Sequence, residues 1–230
     1  IGINHNGDIR IAKKLIDAAN ACSWDCVKFQ KRDPDICVPE HQKQVQRETP
    51  WGVMSYIDYK WKIEFQKYEY EIIEEYCNQK PIDWSTSVWD LNSLNFMSQF
   101  KVPFLKIPSA QITNIKLIEA ISKIDQYFIL STGMANWEII DEAVNIFERN
   151  HTKYALLHCN STYPAAAEDM NLKAIETLKK CFNIPVGLSD HTFGLLVSTV
   201  GLSTGANIIE RHFTLSRTLE GPDHILSSEP

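Results

Sequence analysis

The order of elements predicts an α/β fold in which eight parallel strands, each followed by a helix, close into a (β/α)8 TIM barrel. Strand-like and helix-like patterns alternate along all 230 residues, and such alternation requires parallel pairing because each crossover returns the chain to the same end of the sheet. The length suits one barrel domain. The runner-up, a doubly wound open sheet, would favour a GxGxxG turn after a strand, and none is present.

The strands are read in order as "IGIN", "DCVKFQ" (25–30), "IDWSTS" (82–87), "PFLKIPS" (103–109), "YFILST" (127–132), "YALLHC" (154–159), "IPVGLS" (184–189) and "NIIERHF" (207–213). Each is a short apolar run rich in β-branched or aromatic residues. Between them lie amphipathic stretches, beginning with "IRIAKKLIDAANA" and including "YKWKIEFQKYEYEIIEEYC", read as one helix. The segment 31–58 is polar, carries prolines and lacks periodicity, so it reads as a long functional loop. The chain opens mid-strand on "IGINHNG" and ends on the helix-start signal "SSEP". A domain cut from a longer protein is therefore expected, lacking the start of strand one and helix eight.

Composition narrows the function. A net charge of -6 with no basic stripe disfavours nucleic-acid binding. No run of eighteen apolar residues offers a membrane span, and no signal peptide is visible. Six cysteines without a CxxC pair read as reduced thiols of a cytoplasmic protein.

Barrel active sites gather at the carboxyl ends of the strands. Two lysines, Lys28 and Lys106, sit in strands, and burying an ammonium is costly unless it meets an anion. With hydroxyls at neighbouring strand ends (Thr86, Ser109, Ser131, Ser189), they suit a phosphate or carboxylate. For either lysine alone, a salt bridge to a barrel carboxylate is the competing reading. Ser189 shares a face with His191, and Glu210 with His212, by the two-residue repeat. Histidines closing strands seven and eight are neighbours able to share a metal, against the alternative that each is a satisfied hydrogen-bonder. His158 reads as a core or supporting histidine, His41 and His151 as exposed, and His224 as ambiguous.

These residues carry a resemblance. The stretches "IGINHNGDIRIAKKLIDAA", "DCVKFQKR", "ETPWGVMSYIDYK", "LKIPSAQITN", "STGMA", "LHCNSTYP", "GLSDHTFG" and "ERHFTL…EGPDH" resemble, in order, the catalytic domain of the sialic acid synthases, including the legionaminic acid synthases. The resemblance implies condensation of phosphoenolpyruvate with an N-acetylated sugar aldehyde, typically N-acetylmannosamine or a diacetamido sugar, with release of phosphate. An inactive sugar- or phosphate-binding barrel and a synthase for another aldose are the alternatives. It implies a divalent metal, usually Mn2+ with Mg2+ or Co2+ as substitutes, on His191 and His212. Lys28, Lys106, Ser109, Ser131, Ser189 and Thr86 match positions around phosphoenolpyruvate, as does either Asn160 or Ser161. Gln30, Tyr163 and Asp223 match positions near the sugar, and Lys28, Lys106 and Asp223 are taken as the catalytic set. The family pattern adds a glutamate ahead of residue 1, a homodimer and an antifreeze-like domain beyond residue 230 that lends an arginine to the partner's substrate. The third strand departs from the family's usual "STPFD" and reads "STSVWD".

Overall fold

The structure is a computed structural model describing all 230 residues. The chain divides into two compact units: Ile1–Val102 with Phe213–Ile225 and Glu229–Pro230, and Pro103–His212 with Leu226–Ser228.

In the first unit, helix α1 (Ile9–Ala21) starts where Asp8 accepts the Arg10 N–H, and it buries Ala12, Leu15, Ile16 and Ala19 on one face. Strand β1 (Cys26–Lys31) follows and pairs in parallel with β4 (Asp83–Val88). The expected first strand is reduced to one parallel bridge, Gly2 with Phe29.

Segment 31–58, expected as an irregular loop, is structured. It holds two single-turn helices, α2 (Pro34–Cys37) and α3 (Glu40–Lys43), and an antiparallel hairpin of β2 (Gln46–Thr49) and β3 (Gly52–Ser55). The helix expected over "YKWKIEFQKYEYEIIEEYC" is broken into α4 (Tyr56–Ile63) and α5 (Lys67–Asn78). The break falls where Glu64 turns inward: one of its oxygens accepts from Lys31 Nζ at 3.2 Å and from the Arg32 N–H at 3.0 Å. A fresh N-terminus then forms with a capping box between Gln66 and Glu69. Helix α6 (Leu91–Met97) completes the elements, and Phe29, Phe65, Tyr70, Trp84, Phe96 and Phe100 form an aromatic core.

The second unit is a run of βα repeats. Strands β5 (Leu105–Ile107), β6 (Tyr127–Ser131), β7 (Lys153–Cys159), β8 (Val186–Asp190) and β9 (Ile209–Arg211) pair in parallel in that order. Helices α7 (Ile115–Ile121), α8 (Trp137–Arg149), α9 (Lys173–Phe182) and α10 (Leu196–Ser203) follow the first four of them. Buried strand residues are mainly apolar, as expected where a parallel sheet is covered, with Lys106, Ser131, Ser189, Asp190 and Arg211 as the polar exceptions. Helix α10 rides close to β8 at Gly201, where a Cβ would sit 2.7 Å from Leu188 Cδ2. No helix is long and apolar enough to cross a membrane, and all six cysteines are unbridged.

Candidate active site

Most of the residues singled out from sequence lie at the carboxyl ends of β5–β9. Lys106, 3 % exposed, donates from Nζ to Glu210 Oε1 at 2.6 Å. The same oxygen accepts the Ser189 hydroxyl at 2.8 Å. Lysine, serine and glutamate thus form one knot on three strands. The carboxylate that holds Lys106 was outside the set expected from sequence. The competing salt-bridge reading of the lysine therefore describes a real contact.

Ser109 opens a 3-10 turn after β5, and its hydroxyl accepts the Gly133 N–H at 3.1 Å. Gly133 is needed here for its lack of a side chain: a Cβ would lie 2.4 Å from Ser161 Oγ and 2.7 Å from Ser109 Oγ. This cradle of two hydroxyls and a backbone N–H was missed from sequence, although glycine after a strand end in "STGMA" is the signal for such close approach. Ser131, at the end of β6, is 2 % exposed and its hydroxyl has no protein partner. A buried unsatisfied hydroxyl is uncommon and fits a place kept for a ligand.

His191 and His212 are the first residues past β8 and β9. Their ring centroids are 5.6 Å apart. Tyr163 stacks on the His191 ring at 4.1 Å and meets His212 edge-on at 5.7 Å, with half of its own surface exposed. His191 Nδ1 lies 2.7 Å from the Asn160 carbonyl. That contact makes Nδ1 the protonated nitrogen and turns the Nε2 lone pair outward, the tautomer of a metal-ligating histidine. Burial opposes the His191 imidazolium, but the Cys159 thiol 3.9 Å away and the Asn160 carbonyl raise its pKa overall. The residues fit a divalent metal through two imidazoles. No group of three or more histidine, cysteine, aspartate or glutamate side chains gathers to hold one, so further ligands would be water or substrate oxygens. The Asn160 side chain caps its own turn by accepting the Thr162 N–H at 2.9 Å.

In the first unit, Lys28 Nζ donates to Ser87 Oγ at 2.9 Å. The register places Thr86 beside Phe29, on the face opposite Lys28, and its hydroxyl donates to the Ser87 carbonyl at 3.1 Å. Thr86 was expected among the phosphate-facing hydroxyls, but it is the parallel register with β1 that decides the side. Ser85 and Ser87 lie on the lysine's side, and Ser87 takes the place beside it. Gln30 is engaged by Arg32, whose Nη2 donates to Gln30 Oε1 at 2.5 Å, and the Gln30 carbonyl accepts the Tyr70 hydroxyl at 2.9 Å. Asp223 is half-buried, and its charge acts on Tyr59 and Lys60. The Lys60 pKa is pushed down to about 8, by burial first and by Arg32 next, against the opposing pull of Asp223.

The remaining histidines serve structure. His158 Nε2 meets the Met170 carbonyl at 2.5 Å. His224 is buried against the Thr214 hydroxyl at 2.6 Å. His41 and His151 are exposed.

A model of the NeuB family matches residues 15–230. The chain belongs to the NeuB family. It is 38% identical to the N,N'-diacetyllegionaminic acid synthase of Campylobacter jejuni, over 100% of this chain and 70% of that protein. It is 39% identical to an uncharacterized protein of Methanocaldococcus jannaschii, over 100% of this chain and 65% of that one. The chain thus spans about two thirds of the length of these relatives. The crystal structure of an N-acetylneuraminic acid synthetase from Leptospira borgpetersenii superposes with a TM-score of 0.91 at 35% identity, covering 100% of this chain and 76% of that one. A truncated 3-deoxy-D-arabino-heptulosonate 7-phosphate synthase from Thermotoga maritima shares the fold alone, with a TM-score of 0.74 at 11% identity, over 99% of this chain and 79% of that one.

Proposed function

We propose that this NeuB-family protein condenses phosphoenolpyruvate with an N-acetylated sugar aldehyde, N-acetylmannosamine or a diacetamido-trideoxyhexose, to give a nonulosonic acid and phosphate. The observation that carries the reading is the grouping at the ends of β5–β9 of an anion cradle and a histidine pair. The names of relatives such as the diacetyllegionaminic acid synthase support it. The closed eight-stranded barrel, a homodimer and a cytoplasmic location belong to the same proposal.

Lys106, Ser109, Ser131, Ser189 and one of Asn160 and Ser161 hold the phosphate and carboxylate of phosphoenolpyruvate, and the family resemblance adds Lys28. Charge-assisted contacts from lysine fix the dianion's orientation and remove much of the entropic barrier of a two-substrate reaction. Gln30, Tyr163 and Asp223 face the sugar. His191 and His212 would hold Mn2+, which when bound supplies Lewis-acid polarisation of the aldehyde oxygen. C3 of phosphoenolpyruvate bonds to the aldehyde carbon, water adds at C2, and phosphate departs by C–O cleavage.

The test is phosphate release by the whole protein with phosphoenolpyruvate, sugar and Mn2+. Release that requires the sugar and disappears in His191→Ala and His212→Ala is expected. Sugar-independent release, or none with either acceptor class, overturns the proposal.

A further inference from the structure

Regular pairing of β8 with β9 ends on the rung Asp190–Arg211. His191 and His212 are the next residues, beyond the β8–β9 ladder; the Ala165 N–H reaches the His191 carbonyl at 3.0 Å, but no backbone bond joins the two histidines' strands at this level. On the rung below, Ser189 and Glu210 face one side and are joined by a hydrogen bond. Alternation sends Asp190 and Arg211 to the other side.

There the two form a buried ion pair, with side chains 0 % and 2 % exposed. Arg211 Nη1 donates to Asp190 Oδ2, and Nη2 donates to the Thr192 carbonyl at 2.8 Å. Arg211 Nε donates to Ser228 Oγ at 2.9 Å. Asp190 Oδ1 accepts both the N–H and the hydroxyl of Thr192, at 2.8 and 2.7 Å, and Oδ2 accepts the Ser198 hydroxyl at 2.5 Å. The Ser228 N–H in turn donates to the His212 carbonyl at 2.8 Å. One guanidinium, on the residue before His212, therefore grips both residues that flank His191. The planar fork makes several directed contacts at once, which a lysine cannot reproduce.

We propose that Asp190 and Arg211 are positioning residues that set the spacing of His191 and His212 and so the affinity of the site for a divalent metal. This rests on the metal reading of the two histidines. Neither residue touches the metal or substrate; they act through the backbone of the ligands. Outer partners of metal ligands typically govern affinity by 10–100-fold.

The experiment is Mn2+ binding to the whole protein by calorimetry and by electron paramagnetic resonance, with folding followed by circular dichroism. Arg211→Lys keeps the charge and loses the fork, and Asp190→Asn keeps the shape and loses the charge. Each should weaken Mn2+ binding by about tenfold and alter the resonance line shape. Ser198→Ala removes the hydroxyl's contacts to Asp190 and to Arg211 Nη1 (3.2 Å) but leaves the ion pair itself, so it is the mildest member of the series, with weakening of roughly threefold. Val197→Ala, equally buried in α10 but outside the network, controls for general destabilisation and should bind Mn2+ like the parent. Should both charged-pair variants fail to fold, Ser198→Ala against Val197→Ala decides. Parent-like binding in the folded network variants, or equal weakening in Val197→Ala, overturns the proposal. A parent protein that binds no Mn2+ instead refutes the metal reading beneath it.

Discussion

Lys106→Met separates a lysine that binds substrate from one that only satisfies a carboxylate. The methionine fills the aliphatic volume but leaves Glu210 without its cation. Breaking a fully buried pair costs about 3–5 kcal/mol. Glu210 keeps the Ser189 hydroxyl and its side chain is 23% exposed, so the cost here is roughly half of that, about 2 kcal/mol. For a chain of this size, each kcal/mol moves Tm by about 2–4 °C, and a fall of about 4–8 °C is expected. Adding Glu210→Gln removes the stranded charge while keeping an acceptor for Ser189, and should return Tm to within about 2 °C of the parent. Phosphoenolpyruvate affinity should not return. A hydrogen bond to a charged group is worth about 1.5–3 kcal/mol, so both single and double variants should bind phosphoenolpyruvate about 10–100-fold more weakly by calorimetry. A double variant that regains stability and affinity together would show that Lys106 serves only its ion pair.

Two other outcomes follow from the geometry. Gly133→Ala places a methyl against the Ser109 and Ser161 hydroxyls and the Cys159 carbonyl; calorimetry should show about tenfold weaker phosphoenolpyruvate binding, roughly 1.4 kcal/mol, and the overpacking of about 1–3 kcal/mol should also lower Tm by several degrees. His5, 2 % exposed and stacked on Phe65, has its pKa lowered from 6.5 to about 3, chiefly by burial. The unfolded chain therefore takes the proton first, so the stability His5 contributes is present above pH 6.5 and is lost as pH falls toward 3. Between pH 7 and 5 the loss is about 2 kcal/mol, and urea titrations should find it largely absent in His5→Phe.

The βα alternation and the strand-end histidines were legible because apolar run length and two-residue periodicity are local properties. The break between α4 and α5 was not, because its cause is an ion pair from Glu64 to Lys31 and Arg32 in a distant strand. The face of Thr86 turned on the register of β4 against β1, which the periodicity of either strand alone does not contain. Glu210 was seen beside His212, but its hold on Lys106 spans 104 positions in the chain and leaves no mark in spacing. The Asp190–Arg211 network is hidden for the same reason. Segment 31–58 looked irregular because its helices and strands are single turns or four-residue pieces, too short for a pattern.

The shared oxygen of Glu210 also bears on turnover. For the proposed reaction, the departing product is the same anion by which the substrate is gripped, and a bare ammonium would retain it. A lysine with a resident carboxylate is already neutralised in the empty state. If the proposed reaction runs here, phosphate would compete with Glu210 for the Lys106 proton donors, and the carboxylate would take them back once it loosened. The residual attraction that would make phosphate a slow leaving product and a strong product inhibitor is thereby reduced. On the proposed function, binding strength would be given up on the way in so that the site cleared quickly on the way out.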